Sequence, residues 1–406
     1  MKNKEELLKR LRNYYLFDEI KTAHTFKKNL NLAERYFKYK ELKKENLSWW
    51  KISKILNINP RTVYHWKKQT PKLIKIANQI PKNKLPQNIK WLNLKMEGQW
   101  KLKNFIKVPV KINNYKDIKL VLNQLQSLEN GFVEKWKQKY REIDKDQAFG
   151  YIIGLMISDA DKDRGSILSS RIRIGLSKIY DWSKNIGEAM CYCLSIIGIE
   201  AKRVKDGKPY KKAPNGKYIW RSQLTPFVNW LRKSCLGLSL NETTTHTPVR
   251  MSWVFNSSKE IIKWILNGIY DGDGCAHIRG WQITNADQPN QEFVNKLLYI
   301  LDIKAVSRGP KSIIETKKSL KLASQLPIFR FATGKIEDSK KLIRLMENSN
   351  SISKRKDYNE IMRKVIKLNK RGLAPKDIPF KIFEEYNIGI HPRRIYTILN
   401  RSDLFG

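Results

Sequence analysis

Cysteine is scarce in this sequence and never stands at metal-binding spacing. Cys191, Cys193, Cys235 and Cys275 include no Cys-x-x-Cys pair, and the five histidines, His24, His65, His246, His277 and His391, are scattered along the chain. That pattern excludes a zinc finger or ribbon. Long apolar runs are also missing. No segment reaches the ~18 uninterrupted apolar residues of a membrane span, and the opening Met-Lys-Asn-Lys-Glu-Glu has no apolar signal core behind it. No membrane partner is expected, and the thiols should stay reduced inside the cell. Acidic residues are few as well: 38 Asp and Glu stand against 80 Lys and Arg, a formal net charge of +42. An excess of that size repels itself unless it meets a polyanion, and nucleic acid is the first candidate.

What is present is enough to fold. With 406 residues and 41% apolar side chains, the chain can fill two to four domains. The basic residues recur in stretches such as Lys101–Lys107, Lys202–Lys212 and Lys354–Lys356, interleaved with apolar and aromatic residues. A disordered basic arm would lack that interleaving.

Near the N-terminus, Leu47-Ser-Trp-Trp-Lys-Ile-Ser-Lys-Ile-Leu56 has helical periodicity and is followed by Asn57-Ile-Asn-Pro60 and Arg61-Thr-Val-Tyr-His-Trp-Lys-Lys68. Ser48 can cap the first helix, and Asn59 before Pro60 suits the start of the second. The pattern resembles a helix-turn-helix with residues 60–68 as recognition helix. A similar pair lies near the other end, where Lys376–Glu385 precedes Ile388–Asn400, so that Pro392-Arg393 and Ile395-Tyr396 match Pro60-Arg61 and Val63-Tyr64. Arg61, Thr62, His65, Arg393, Arg394 and Thr397 are the candidate DNA-facing residues. An ordinary helical hairpin is the alternative for each pair. Between residues 81 and 146, Phe105–Val110 reads as a strand and Asp117–Tyr140 as a helix, in a small connecting subdomain.

The middle of the chain contains a diverged internal repeat. Gly154-Leu-Met-Ile-Ser-Asp-Ala-Asp161 corresponds to Gly268-Ile-Tyr-Asp-Gly-Asp-Gly274, and Ser195–Ala201 corresponds to Tyr299–Ala305. Trp220-Arg221, followed by Pro226–Leu231, aligns with Phe329-Arg330, followed by Ile336–Leu345. Each copy reads as helix, strand pair, helix, strand, helix. The expected domains are 1–80, with the helix-turn-helix at 47–68; a connector at 81–146; repeat 1 at 147–240; a linker at 241–258; repeat 2 at 259–350; and a C-terminal helix-turn-helix domain at 351–406.

Gly150, Gly154 and Ser158 fall at i, i+4 and i+8 in the first copy, and Gly268 and Gly272 at i and i+4 in the second, so each copy carries a stripe of small residues along one helical face. Glycine inside a helix costs roughly 0.5–1 kcal/mol relative to alanine, and close approach of two helices is the packing reason that offsets it. Asp159 and Asp273 each follow the aligned glycine by five residues, which brings both acids toward one pseudo-twofold axis. A helix C-terminus disfavours a carboxylate, a penalty that a bound divalent cation reverses. Two oxygen-ligand sites for Mg²⁺, each between a carboxylate and a phosphate, suit phosphodiester hydrolysis. A calcium loop beginning at Asp159 fails, because its sixth position is Arg164 and its twelfth is Ser170.

With these motifs in place, the sequence over residues 147–350 resembles the LAGLIDADG homing endonucleases in their single-chain, two-repeat form. The resemblance implies an α+β fold: two pseudo-symmetric αββαββα-like domains, here flanked by all-α helix-turn-helix domains. It implies that Asp159 and Asp273 are catalytic and bind metal, Mg²⁺ with Mn²⁺ as a substitute, and that saddle-shaped sheets lie in the major groove of double-stranded DNA. It also implies a basic residue late in each repeat: Lys335, in Phe331-Ala-Thr-Gly-Lys335, fills that role in the second, while Lys217 and Arg221 are candidates in the first. Ser158 stands where the family has Gly or Ala, and Ala160 where it ends on Gly. The expected protein is a monomeric, cytoplasmic, nucleoid-associated endonuclease of the intron-homing type. Two other readings stay open: a transcriptional regulator with a non-cleaving LAGLIDADG scaffold, and a maturase binding intron RNA. An intein is disfavoured, since the chain lacks both a starting Cys or Ser and a terminal His-Asn pair with a following nucleophile.

Overall fold

The computed structural model describes residues 3–22, 24–81, 90–96, 105–129, 131–139, 142–164, 169–178, 183–209, 215–239, 242–277, 280–284, 288–314, 316–323, 358–375, 377–386, 390 and 392–400. It is a mixed helix and strand structure with two four-stranded sheets and one two-stranded sheet among those residues.

Six helices open the chain: α1 (Lys4–Leu11), α2 (Phe17–Ile20), α3 (His24–Lys44), α4 (Trp49–Leu56), α5 (Pro60–Trp66) and α6 (Lys72–Gln79). Local chemistry sets the α4–α5 joint. The Ser48 side chain accepts from the Lys51 amide, and Asn57 ends α4 in the left-handed region at φ 47°. The Asn59 side chain accepts from the Arg61 amide, with Pro60 in the first helical position. Arg35 donates to the Asn57 carbonyl at 3.1 Å, tying the turn to α3. Val63 and Trp66 face inward, and the Trp66 ring meets Tyr36 and Tyr39 at 5.4 and 5.5 Å.

The connecting segment pairs β1 (Trp91–Lys95) antiparallel with β2 (Phe105–Pro109). Where the sequence reads as one helix over 117–140, the structure has two, α7 (Tyr115–Leu122) and α8 (Gly131–Lys139). The break has a physical cause. After Leu125, whose amide still donates to Leu122 O, the chain hydrogen-bonds elsewhere: the Leu128 amide donates to Ser195 O at 2.9 Å and the Ser127 side chain, through Oγ, to Ile196 O at 2.9 Å. Further bonds join this segment to its neighbours. Trp230 Nε1 donates to Pro109 O and Ser234 Oγ to Val110 O, while the Tyr15 amide donates to Asn93 O. A tertiary role thus replaces the helical continuity.

The two copies follow in the same order. The first runs α9 (Lys145–Ile157), β3 (Asp161–Arg164), β4 (Ser170–Ser177), α10 (Ser183–Ile196), β5 (Ala201–Arg203), β6 (Lys217–Ser222) and α11 (Pro226–Trp230). The second runs α12 (Lys259–Asp273), β7 (Gly274–His277), β8 (Gly280–Thr284), α13 (Gln288–Ile300), β9 (Val306–Arg308), β10 (Lys311–Ile314) and α14 (Lys317–Ala323). Their sheets are ordered β3-β4-β6-β5 and β7-β8-β10-β9, antiparallel throughout. Each copy therefore has one strand more than the helix, strand pair, helix, strand, helix reading. The added strands, β5 and β9, are three residues each, too short to show an alternation in sequence. The strand that matches β6 by sheet position is β10, so the described strands do not follow the alignment of Trp220-Arg221 with Phe329-Arg330. Phe329 to Leu345 lie outside the described residues.

Residues 242–258, expected as a linker, contribute Val249, Met251, Trp253 and Val254 to the core. Trp253 is buried and its indole donates to Cys235 O at 2.8 Å, while the Val249 amide donates to Asn290 Oδ1 on α13. Near the C-terminus, α15 (Tyr358–Lys370), α16 (Ile378–Tyr386) and α17 (Pro392–Leu399) gather Ile361, Met362, Val365, Ile378, Ile382 and Ile395 into a core of their own.

Candidate functional site

The site is built where α9 and α12 cross. Asp144 opens α9 with a reciprocal capping box to Gln147, and Ser158 closes it; α9 is buried on every side from Ala148 to Ile157. A helix hydrophobic all round belongs in the centre of a molecule. Ser258 caps α12, which runs through to Asp273.

The two helices meet residue against equivalent residue. A Cβ placed on Gly268 would lie 2.9 Å from Gly154 Cα and 2.8 Å from the Leu155 amide nitrogen, and closer still to the Tyr151 carbonyl oxygen. One on Gly154 would lie 2.9 Å from Gly268 Cα and from the Ile269 amide nitrogen. These neighbours are backbone atoms, which cannot swing aside. Gly150 faces Trp264 Cβ at 2.9 Å by the same measure, and Gly272 faces the Ser158 side chain. Contact between aligned residues of the two copies, repeated along both helices, means that the helices run parallel and share one pseudo-twofold axis. The Ser158 hydroxyl lies 3.1 and 3.2 Å from the Gly154 and Leu155 carbonyl oxygens and 3.3 Å from that of Gly268. Its one proton serves both helices, and Gly272 opposite leaves the room that a serine needs.

Asp159 and Asp273 leave this crossing at the same end. A Cβ on Gly272 would lie 3.0 Å from the Asp159 amide nitrogen, so the backbone beside one acid abuts the backbone of the other. Asp159 is exposed and Asp273 half-buried. The neighbouring carboxylate differs: Asp271 is 1% exposed and accepts from Tyr151 Oη at 2.8 Å. Burial between the helices makes Asp271 a packing element, while Asp273 stays within reach of solvent. Asp161 and Asp163 belong to β3.

The first sheet extends from this end. In β4 the residues Arg171-Ile-Arg-Ile-Gly-Leu176 alternate, with Ile172, Ile174 and Leu176 buried on the α10 side together with Trp220. The other face carries Arg171 and Arg173, and the strand register sets Arg173 opposite Arg221 and Arg221 opposite Lys202. Lys217, opposite Ser177, shares that face. On the other side of β4 the register sets Asp161 opposite Arg173 and Asp163 opposite Arg171, so carboxylate residues stand beside the cations nearest the helix ends. Sequence reasoning reached Lys217 and Arg221 but missed Arg171, Arg173 and Lys202, although the period-two alternation of 171–176 was a usable signal. On the equivalent face of the second sheet the register sets Lys311 opposite both Thr284 and Arg308.

The remaining candidates are spread out. Arg61 and His65 are exposed and Thr62 half-buried on α5. Arg393, Arg394 and Thr397 lie in α17, Arg394 half-buried. Lys335 lies outside the described residues. Among the described residues no group of three or more His, Cys, Asp and Glu side chains converges, and no helix is long and apolar enough to cross a membrane.

No family model matches the chain, and no curated protein matches it. Among solved structures it is similar to mesophilic variants of the homing endonuclease I-DmoI, at 14% identity and a TM-score of 0.32, over 45% of this chain and 96% of that one. It is also similar to I-DmoI in complex with DNA and Ca, at 14% identity and a TM-score of 0.33, over 47% of this chain and 98% of that one. A further similar structure is I-DmoI in complex with DNA and Mn, at 14% identity and a TM-score of 0.32, over 45% of this chain and 97% of that one.

Proposed function

We propose that this protein is a site-specific, divalent-metal-dependent endonuclease of double-stranded DNA, a two-repeat LAGLIDADG enzyme that makes double-strand breaks by phosphodiester hydrolysis. One observation carries the reading: Asp159 and Asp273, equivalent in the two repeats, emerge together from helices packed backbone against backbone. Glycine-lined contact of that kind costs helix propensity, and bringing two acids to one axis is the chemical return.

A duplex has two antiparallel strands related by local twofold symmetry, which a pseudo-twofold pair of acids matches. The residues fit a hard cation. Mg²⁺ takes one or two carboxylates and completes its octahedron with water and phosphate oxygens, and Asp159 and Asp273 would supply those carboxylates, with Mn²⁺ as substitute. When bound, such a cation supplies an activated water and charge neutralisation at the scissile phosphate. The chain's own contribution is position. The helix crossing holds the carboxylates, and Arg171, Arg173, Lys202, Lys217 and Arg221 supply cations for backbone phosphates on the neighbouring face. Lys335 is proposed as the basic catalytic residue of the second repeat. The α4–α5 and α16–α17 pairs would lengthen the DNA contact through Arg61, Thr62, His65, Arg393, Arg394 and Thr397.

The test is cleavage of a plasmid library carrying randomised sites, in Mg²⁺ and in Ca²⁺. Expected is a defined cut in Mg²⁺ that Asp159→Asn or Asp273→Asn abolishes, with specific binding in Ca²⁺ unchanged. Specific duplex binding without any cut would sink the nuclease reading and leave a regulator. Tighter binding of structured intron RNA than of any duplex would leave a maturase.

A further inference from the structure

We propose that the α4–α5 pair carries a stacking platform for unpaired nucleobases, a single-strand nucleic-acid site separate from the two acids. Its rings form one row at the surface. Trp50 and Trp49 lie 4.7 Å apart between centroids, and Trp49 and Tyr64 6.2 Å. Trp50 is 55% and Tyr64 47% exposed. Trp49 is half-buried against the core and anchors the row, while Trp50 and Tyr64 are its exposed members, and Ile52, Leu56, Val63 and Trp66 fill the inner side of the pair.

Charge selects the occupant. Residues 49–68 contain Lys51, Lys54, Arg61, Lys67 and Lys68 and no acidic residue, and all five cations are exposed. Lys67 Nζ stands 5.7 Å from the Tyr64 ring centre. Exposed aromatic faces interleaved with ammonium groups match a ligand that alternates π-faces with phosphates. In a duplex those faces are covered by neighbouring base pairs, and only an unpaired strand offers them. Reading base edges in a major groove calls for hydrogen-bonding side chains, a task that two adjacent indoles serve poorly.

The experiment measures fluorescence polarisation of labelled oligothymidylate and oligouridylate of about 15 nucleotides, and of a duplex of the same length, with the full chain at about 200 mM salt, where attraction to phosphates alone is weakened. Loss of a stacked base is worth roughly 1–3 kcal/mol, or about 5- to 150-fold in affinity. The expected result is a single-strand affinity lower by at least about tenfold in W50A/Y64A, a duplex affinity within about threefold of the parent, and recovery in W50F/Y64F, which keeps both rings. Unchanged melting of each variant shows the fold intact. If W50A/Y64A fails to melt like the parent, the W50F/Y64F chain and the single W50A and Y64A chains decide the matter by the same ratio. Tighter binding of the deoxy strand assigns the site to DNA, and of the ribo strand to RNA. Equal losses on strand and duplex, no loss, or displacement by polyglutamate as effective as by oligonucleotide would each overturn the proposal.

Discussion

Alanine in place of Gly268 should destabilise the protein even though it improves helix propensity. The added Cβ would sit 2.8 Å from Leu155 N and 2.9 Å from Gly154 Cα, whereas carbon atoms rest at about 3.5–4.0 Å. The helices must part by roughly 0.6–1 Å, and a gap of that order forfeits a quarter to a half of each pairwise attraction along the crossing. Overpacking costs about 1–3 kcal/mol, and backbone neighbours on three sides place this site near the upper end. Better propensity returns about 1 kcal/mol, leaving a net loss of about 2 kcal/mol. Gly154→Ala should behave alike, and Gly150→Ala should be milder, because its shortest contact, to Trp264 Cβ, is 2.9 Å, while Gly154 and Gly268 each meet a backbone carbonyl oxygen at closer range. Urea unfolding followed by tryptophan fluorescence gives the ranking, and hydrogen exchange over 148–157 and 261–271 locates the loosening. Gly268→Ala as stable as the parent, or Gly150→Ala equally damaging, would refute the reasoning.

Two further outcomes follow from buried groups. Tyr151→Phe removes the hydroxyl that donates to buried Asp271 and should cost about 1.5–3 kcal/mol, as expected for a hydrogen bond to a charged group; the loss should shrink sharply when Asp271→Asn is already present, and strict additivity in the urea midpoints would contradict the pairing. Burial raises the thiols of Cys191, Cys193 and Cys235 above the ordinary cysteine value, with Asp271 adding to the rise at Cys193. Unfolded thiols ionise near about 8.5 while the folded ones stay protonated, so stability should fall as pH rises above that value. Ellman's reagent on the native chain should titrate rapidly, at most, the Cys275 thiol, and all four after denaturation.

The helix crossing was legible because a one-dimensional period of four maps onto one helical face. Equivalence of the copies was legible too, and it extends to the backbone. Gly198 and Asp302 both adopt positive φ, at 78° and 62°, and the next residues, Ile199 and Ile303, donate back to Leu194 and Leu298. Glycine supplies that conformation freely, and aspartate is among the few side chains that tolerate it. What the sequence hid depends on partners distant in the chain. Trp91–Lys95 is a strand because Phe105–Pro109 pairs with one edge and Asn13–Tyr15 with the other, and the α7–α8 break answers to carbonyls at the end of α10. The aromatic row joins Trp49 to Tyr64 across a turn, where no single-helix period could reveal it.

The two acids are equivalent in sequence but not in setting. Helix α9 ends at Ile157, and Ser158 leaves helical geometry at φ −99° and ψ −110°, so Asp159 stands beyond the last turn and is exposed. Helix α12 continues through Asp273, which is half-buried. A carboxylate held by a continuing helix is restricted in ways that one on an unwound residue is not. The flanking sheets differ in the same sense, with Arg171, Arg173, Lys202, Lys217 and Arg221 on one and Lys311 and Arg308 on the other among the described residues. Under the nuclease reading the two strands of a target should therefore be cut at unequal rates. Supercoiled plasmid should pass through an open-circle intermediate before becoming linear, and strand-specific end labels should show the same strand cut first in most molecules. Introducing Ser158→Gly, which makes the first crossing resemble the second, should narrow the difference. Simultaneous loss of both strands with no nicked species would show that the asymmetry of the helix ends does not reach the phosphates.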